Sequence, residues 1–151
     1  MTIAVPDPSP KPQPGVDERA VTAMEDLQCL AVPAVAGQLV LLREHLDAWT
    51  ERAGLDQQAR QTLLLAAYEA MANVVVHAYR GADGVLDLHA CDRGDVVVVT
   101  VADHGRWQPA ARPGPLHGRG LPLIRALSAE AVVEKNAAGT TVTMTFIRQP
   151  G

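Results

Sequence analysis

A carboxylate and a carboxamide stand four residues apart at Glu69 and Asn73, inside a stretch of helical pattern. That spacing sets both side chains on one helix face, one turn apart. Their neighbours are small or apolar, among them Ala66, Ala67, Ala70, Ala72 and Val74. Two polar groups on a mostly apolar helix need partners, because burying them unpaired costs free energy. A phosphate-bound cation would supply one: Asn offers a neutral oxygen to a hard cation, and Glu offers a general base. His77-Ala78-Tyr79 continue the same pattern.

Three further motifs carry chemistry only in combination. Asp103-His104-Gly105 follows a β-branched run, where an aspartate could receive an exocyclic amine and the glycine could let a base approach the backbone. Gly118-Arg119-Gly120 precedes a helical pattern and would expose backbone N–H groups to phosphate. Gly139-Thr140-Thr141-Val142 opens the last strand pattern with two hydroxyls. Each alone has an ordinary reading: a solvated helix face, an Asp-x-Gly turn, a glycine hinge, a threonine-rich strand. A dinucleotide fingerprint is excluded, since Leu123 stands where a third glycine belongs and a loop, not a strand, precedes the motif.

The elements that must position these residues follow from periodicity and turn chemistry. Residues 1–23 alternate proline with small or polar residues and are expected to form a disordered tail, with the folded unit covering 24–151. Asp26 to Val32 reads as a strand. Pro33 is suited to open a helix in which Leu39, Leu42, Leu46 and Trp49 recur, stopped by Gly54. Asp56 caps a second helix running to about Tyr79, with a core stripe of Leu63, Ala67, Met71 (or Ala70), Val74 and Ala78. Strands over 85–90 and 96–102 come next, the second placed mid-sheet by its apolar run. A long loop over 103–117, a helix from Gly118 to about Ala129 with Pro122 in its first turn, and strands over 131–135 and 140–147 complete the order. The pattern predicts an α/β, two-layer α+β sandwich: a mixed, largely antiparallel sheet with helices on one face.

Composition narrows the function. The 151 residues suffice for one core and are short for two. A net charge of −4 and only 3% aromatics argue against direct nucleic-acid binding. Apolar runs are too short to span a membrane, and the two cysteines lack metal-ligand spacing, so a cytoplasmic chain with free thiols is expected. No zinc site is assigned to the scattered histidines. The only lysines, Lys11 and Lys135, lie outside glycine-rich loops, so there is no P-loop. With two serines and no G-x-S-x-G elbow, a hydrolase triad is not expected.

Taken as an ordered set, Glu-x-x-x-Asn, Asp-x-Gly, Gly-x-Gly and Gly-Thr resemble the Bergerat-fold (GHKL-type, histidine-kinase-like) ATPases over roughly residues 25–148. Within them, Glu69 to Asn73, His77-Ala78-Tyr79, Asp103 to Trp107, Gly118 to Leu121 and Gly139 to Val142 look most like the bacterial anti-sigma-factor serine kinases. The resemblance implies ATP and Mg²⁺ as cofactors. It makes Glu69 the general base toward a serine hydroxyl and Asn73 the Mg²⁺ ligand, with His77 beside them in the cofactor site. Asp103 would take the adenine amine, supported through water by Thr140 or its neighbour Thr141, and Gly105 would give the base room. Gly118, Arg119, Gly120 and Leu121 would cradle the phosphates at the end of a lid over 106–117. The implied partners are an anti-anti-sigma (STAS-domain) protein and a sigma factor, with a homodimer as the implied assembly. Where the first glycine box often has a second glycine, this chain has Trp107. That departure motivates a second reading, an ATP-binding partner-switch module that sequesters a regulator with little catalysis. A histidine-kinase catalytic half is a third; the chain before residue 56 is too short for its phosphoacceptor hairpin.

Overall fold

The computed structural model describes residues 24–79, 83–105 and 120–148. Five strands form one sheet in the order β1-β2-β3-β5-β4: β1 Leu27–Pro33, β2 Val85–Asp92, β3 Val96–Asp103, β4 Glu130–Asn136 and β5 Gly139–Ile147. Three helices, α1 Ala36–Arg52, α2 Gln57–Asn73 and α3 Gly120–Leu127, cover one face. Every pairing among the described strands is antiparallel, in line with the expected largely antiparallel sheet with helices on one face. The physical reason is connectivity. Short turns at Arg93–Asp95 and Ala137–Ala138 reverse the chain directly, whereas a parallel neighbour needs a long crossover.

β3 lies at the centre, as its apolar run predicts. Its residues nevertheless alternate: Val97, Val99, Val101 and Asp103 are buried under the helices, while Val96, Val98, Thr100 and Ala102 are half-exposed on the open face. β5 alternates in the same way, burying Thr140, Val142, Met144 and Phe146. These side chains meet Leu46 and Trp49 of α1, Leu63, Ala67 and Met71 of α2, and Ile124 of α3 in one apolar layer. Full burial of each large aliphatic side chain contributes roughly 1.5–3 kcal/mol.

Pro33 does not open α1. It ends β1, paired with Val85, and the helix starts only after Val35. Proline lacks the N–H that a central strand would need, but β1 is an edge strand, where the missing donor costs no ladder bond. The Ala34 N–H then bonds to the Gly84 carbonyl at 2.9 Å, turning the chain away from the sheet. α2 begins as expected: Asp56 caps it by accepting the Ala59 N–H at 2.8 Å. It ends earlier than Tyr79, at Asn73, and continues as a π-turn over Val74–Ala78. The whole expected core stripe, Leu63, Ala67, Met71, Val74 and Ala78, is buried.

The far end of the layer is tied by polar clamps. Arg148 donates to the Ala53 carbonyl at 2.9 Å and pairs with Asp92 at 2.6 Å. The Trp49 indole N–H donates to the Glu25 carbonyl at 2.9 Å. Between α1 and α2, Arg60 pairs with Asp47 at 2.6 Å. No helix among the described residues is long and apolar enough to cross a membrane.

Candidate functional site

Three polar side chains are buried among the described residues: Thr50, Asp103 and Thr140. Thr50 is explained locally, since its hydroxyl donates to the Asp47 carbonyl one turn back. The other two are neighbours. Asp103 ends β3, Thr140 stands second in β5, and the register pairs them directly. Each is 3% exposed, on the helix-facing side of the sheet. A carboxylate and a hydroxyl at the rim of an apolar layer cost free energy unless polar partners meet them. Part of that partnering is internal: the Gly105 N–H donates to Asp103 Oδ1 at 3.0 Å.

The register decides between the two threonines. Thr141 pairs with Ala102 and Glu134 on the opposite, open face of the sheet. Of the two, only Thr140 shares a face with Asp103. Sequence pattern alone could not choose, because a one-residue slip exchanges the faces.

Glu69 and Asn73 come from α2 and are both half-buried, one turn apart on the side chain face their spacing predicts. His77 is half-buried in the π-turn that follows. The end of this turn reaches the end of β3. The Tyr79 hydroxyl accepts the His104 N–H at 2.9 Å and donates to the Val85 carbonyl at 2.6 Å. A Cβ placed on Gly105 would run into the Ala78 carbonyl oxygen and lie 2.8 Å from Tyr79 Cε1. The room at Gly105 that was expected for a purine is therefore taken on its Cβ side by the protein's own backbone and ring. Asp87 braces the same loop from β2. One of its oxygens accepts the Ala31 N–H at 2.7 Å, and the other faces His104 Nε2 at 3.3 Å. Ala31 occupies a bulge in β1 with φ of 55°, where that side-chain bond replaces a lost ladder bond.

α3 packs against α2. Leu127 at its C-terminus lines a pocket of about 330 Å³ with Ala59, Thr62 and Phe146, at the N-terminal end of α2. Gly120 and Leu121 are the first two residues of α3. Gly118, Arg119 and the expected lid over 106–117, including Trp107, lie outside the described residues. The 330 Å³ pocket is not the candidate site. Its one carboxylate, Asp56, is occupied as a helix cap, and it stands at the opposite end of the layer from Asp103. Among the described residues no three His, Cys, Asp or Glu side chains cluster as a metal cage. A cation at Asn73 would take most of its ligands from phosphate oxygens and water, as Mg²⁺ does.

Sequence reasoning quoted Tyr79 without giving it a task, read Gly84 only as part of a turn and passed over Asp87. The role of the tyrosine shows only in the structure. A Cβ on Gly84 would collide with the Tyr79 ring, as one on Gly105 would, so two glycines in this chain make room for one aromatic side chain.

The fold is a two-layer sandwich with helices on one face of an antiparallel sheet and a buried carboxylate at the end of its central strand, an architecture that by itself names no activity. The chain matches the histidine kinase-like ATPase domain family over residues 32–146, and it belongs to that family. Among solved structures it is similar to the RsbU and RsbW domains of Rv1364c from Mycobacterium tuberculosis, with 26% identity and a TM-score of 0.67. That match covers 83% of this chain and 33% of the other, so this chain spans about a third of that protein's length. A blue-light activated histidine kinase, EL346 from Erythrobacter litoralis, matches at 23% identity and a TM-score of 0.53, covering 74% of this chain and 40% of that one. This second likeness speaks to the fold alone.

Proposed function

We propose that this chain is an ATP- and Mg²⁺-dependent serine protein kinase. Its substrate is an anti-anti-sigma protein of the STAS type, and by binding a sigma factor it acts as an anti-sigma factor in transcription control. The observation that carries the nucleotide part is the buried Asp103–Thr140 pair, set at the strand end that the Glu69/Asn73 helix reaches. The kinase part is supported by the motif set and by the likeness to a structure containing an RsbW domain.

The donor set fits the cofactors. Asn73 offers a neutral carboxamide oxygen to Mg²⁺, and Asp103 offers a carboxylate to the adenine amine, with Thr140 beside it. Gly118, Arg119, Gly120 and Leu121 are assigned to the phosphates through backbone N–H groups and one guanidinium. His77 stands next to this set on the π-turn. When bound, Mg²⁺-ATP supplies the transferable phosphoryl group and much of the charge neutralisation that its transfer requires. Glu69 would accept the proton of the target serine hydroxyl as that oxygen takes up the phosphoryl group and ADP leaves. Asp103 and Thr140 would hold the base end, and Glu69 and Asn73 of α2 would meet the phosphate end.

The test is transfer of labelled phosphate from ATP to a STAS-domain protein. Glu69→Ala lowers the rate by roughly 10²–10⁴-fold, the usual worth of a positioned base, while ATP affinity stays within about twofold. An unchanged rate removes Glu69 as the base. ATP binding without transfer to any STAS protein leaves the partner-switch reading in place of the kinase.

A further inference from the structure

We propose that Tyr79 is a positioning residue for the nucleotide site and that its hydroxyl governs adenine recognition by acting through Asp103. The inference rests on the reading of Asp103 given above. The hydroxyl has one proton to donate and lone pairs to accept with, and both capacities are used. It donates to the Val85 carbonyl at 2.6 Å and accepts the His104 N–H at 2.9 Å. The first bond anchors it to the start of β2, and the second grips the residue directly after Asp103.

The grip continues one residue further. The Tyr79 ring and the Ala78 carbonyl leave Gly105 no room for a side chain. The Gly105 N–H, held there, donates to Asp103 Oδ1 at 3.0 Å. Gly84 lies against the same ring, where a Cβ would run into its Cδ1, Cε1 and Cζ atoms. The carboxylate of Asp103 is thus oriented by a turn whose two following residues are each fastened to the Ala78–Tyr79 corner. That corner in turn continues the helix that carries Glu69 and Asn73. Tyr79 thereby sets the distance between the base-binding end of the site and its phosphate end. A ring without the hydroxyl keeps the packing and loses the anchor, so the turn and the carboxylate relax together.

Calorimetric titration of the full chain with ATP and with GTP in Mg²⁺ tests this. Tyr79→Phe weakens ATP binding by roughly three- to tenfold, the worth of one hydrogen bond, and leaves GTP binding within about twofold, at a temperature well below the variant's own melting midpoint. In an Asp103→Asn background the same substitution produces no further change, because residues acting through one group are non-additive. Gly84→Ala, which displaces the ring and keeps the hydroxyl, reproduces the loss by a second route. A Tyr79→Phe chain with wild-type ATP affinity refutes the proposal. So does one that loses ATP and GTP equally, or whose effect adds to that of Asp103→Asn. A wild-type chain that does not distinguish ATP from GTP refutes instead the reading of Asp103, and with it the proposal.

Discussion

Replacing glycine by alanine at three positions separates backbone strain from steric collision at the rim of the site. Gly139 opens β5 with φ of 143°, a conformation that side-chain-bearing residues rarely adopt. A Cβ there would run into the Asp103 carbonyl oxygen and lie 2.8 Å from His104 Cα. Gly94 also has a positive φ, 94°, but a Cβ there meets nothing within 4 Å. Gly37, in the first turn of α1, has neither problem. Gly37→Ala is therefore neutral to stabilising, by up to about 0.5–1 kcal/mol. Gly94→Ala costs about 1–2 kcal/mol for the left-handed backbone alone. Gly139→Ala adds a collision term of about 1–3 kcal/mol to a backbone term of similar size, giving roughly 2–6 kcal/mol. At about 2–4 °C per kcal/mol for a domain of this size, the midpoint falls by roughly 5–20 °C. Calorimetric melting of the three variants ranks them Gly37, Gly94, Gly139. Because the collision is with Asp103 itself, the surviving Gly139→Ala protein binds ATP more weakly while Gly94→Ala does not. A Gly139→Ala chain no less stable than Gly94→Ala would refute the collision argument.

Other outcomes follow from geometry. Arg148→Ala removes the donor to Asp92 Oδ2 and to the Ala53 carbonyl, leaving Asp92 only the Gly94 N–H on its other oxygen, and lowers stability by about 2 kcal/mol in urea titration, because bonds to charged groups are worth roughly 1.5–3 kcal/mol. Asn73→Ala removes the Mg²⁺-dependent part of ATP affinity and leaves the Mg²⁺-free part within about twofold, read by titration with and without EDTA. Burial pushes both thiols up, and for Cys91 a hydrogen bond and charge from Asp26 add to it. The folded state therefore holds thiol protons that the unfolded chain releases. Stability is unaffected below the ordinary thiol value of about 8.5 and falls as pH rises above it. Denaturation series at pH 7, 8.5 and 9.5 show the decline, and a Cys29→Ala, Cys91→Ala chain shows less of it.

What could be read in advance was what depends on local pattern. The α2 stripe from Leu63 to Ala78, the Asp56 cap and the strand-helix order all rest on periodicity or capping chemistry, which neighbouring residues determine. Pro33 was misplaced because a fixed φ suits both the first turn of a helix and the end of an edge strand, and only the sheet order decides. The π-turn has no periodic signature, since one extra residue leaves the apolar pattern intact. At the site, residue types were legible and partners were not. Asp103 and Gly105 were visible as an Asp-x-Gly turn, yet the choice of Thr140 over Thr141 needed the β3–β5 register. Tyr79 needed the third dimension altogether, because its partners Val85 and His104 lie 6 and 25 residues away.

The π-turn at Val74–Ala78 also bears on how this chain should be aligned with others. A helix absorbs one additional residue in such a turn without losing its phase on either side. Glu69 and Asn73 keep their rotation from the core stripe upstream, and Tyr79 takes its own from the strand ends downstream. Deleting one residue from Val74–Val76 would restore ordinary helix and preserve both orientations. The spacing from Asn73 to Tyr79 is therefore the one place in this motif where a single-residue gap is structurally silent. Against a relative whose helix lacks that extra residue, an alignment that forbids a gap there would shift His77 and Tyr79 off their counterparts while leaving Glu69 and Asn73 matched.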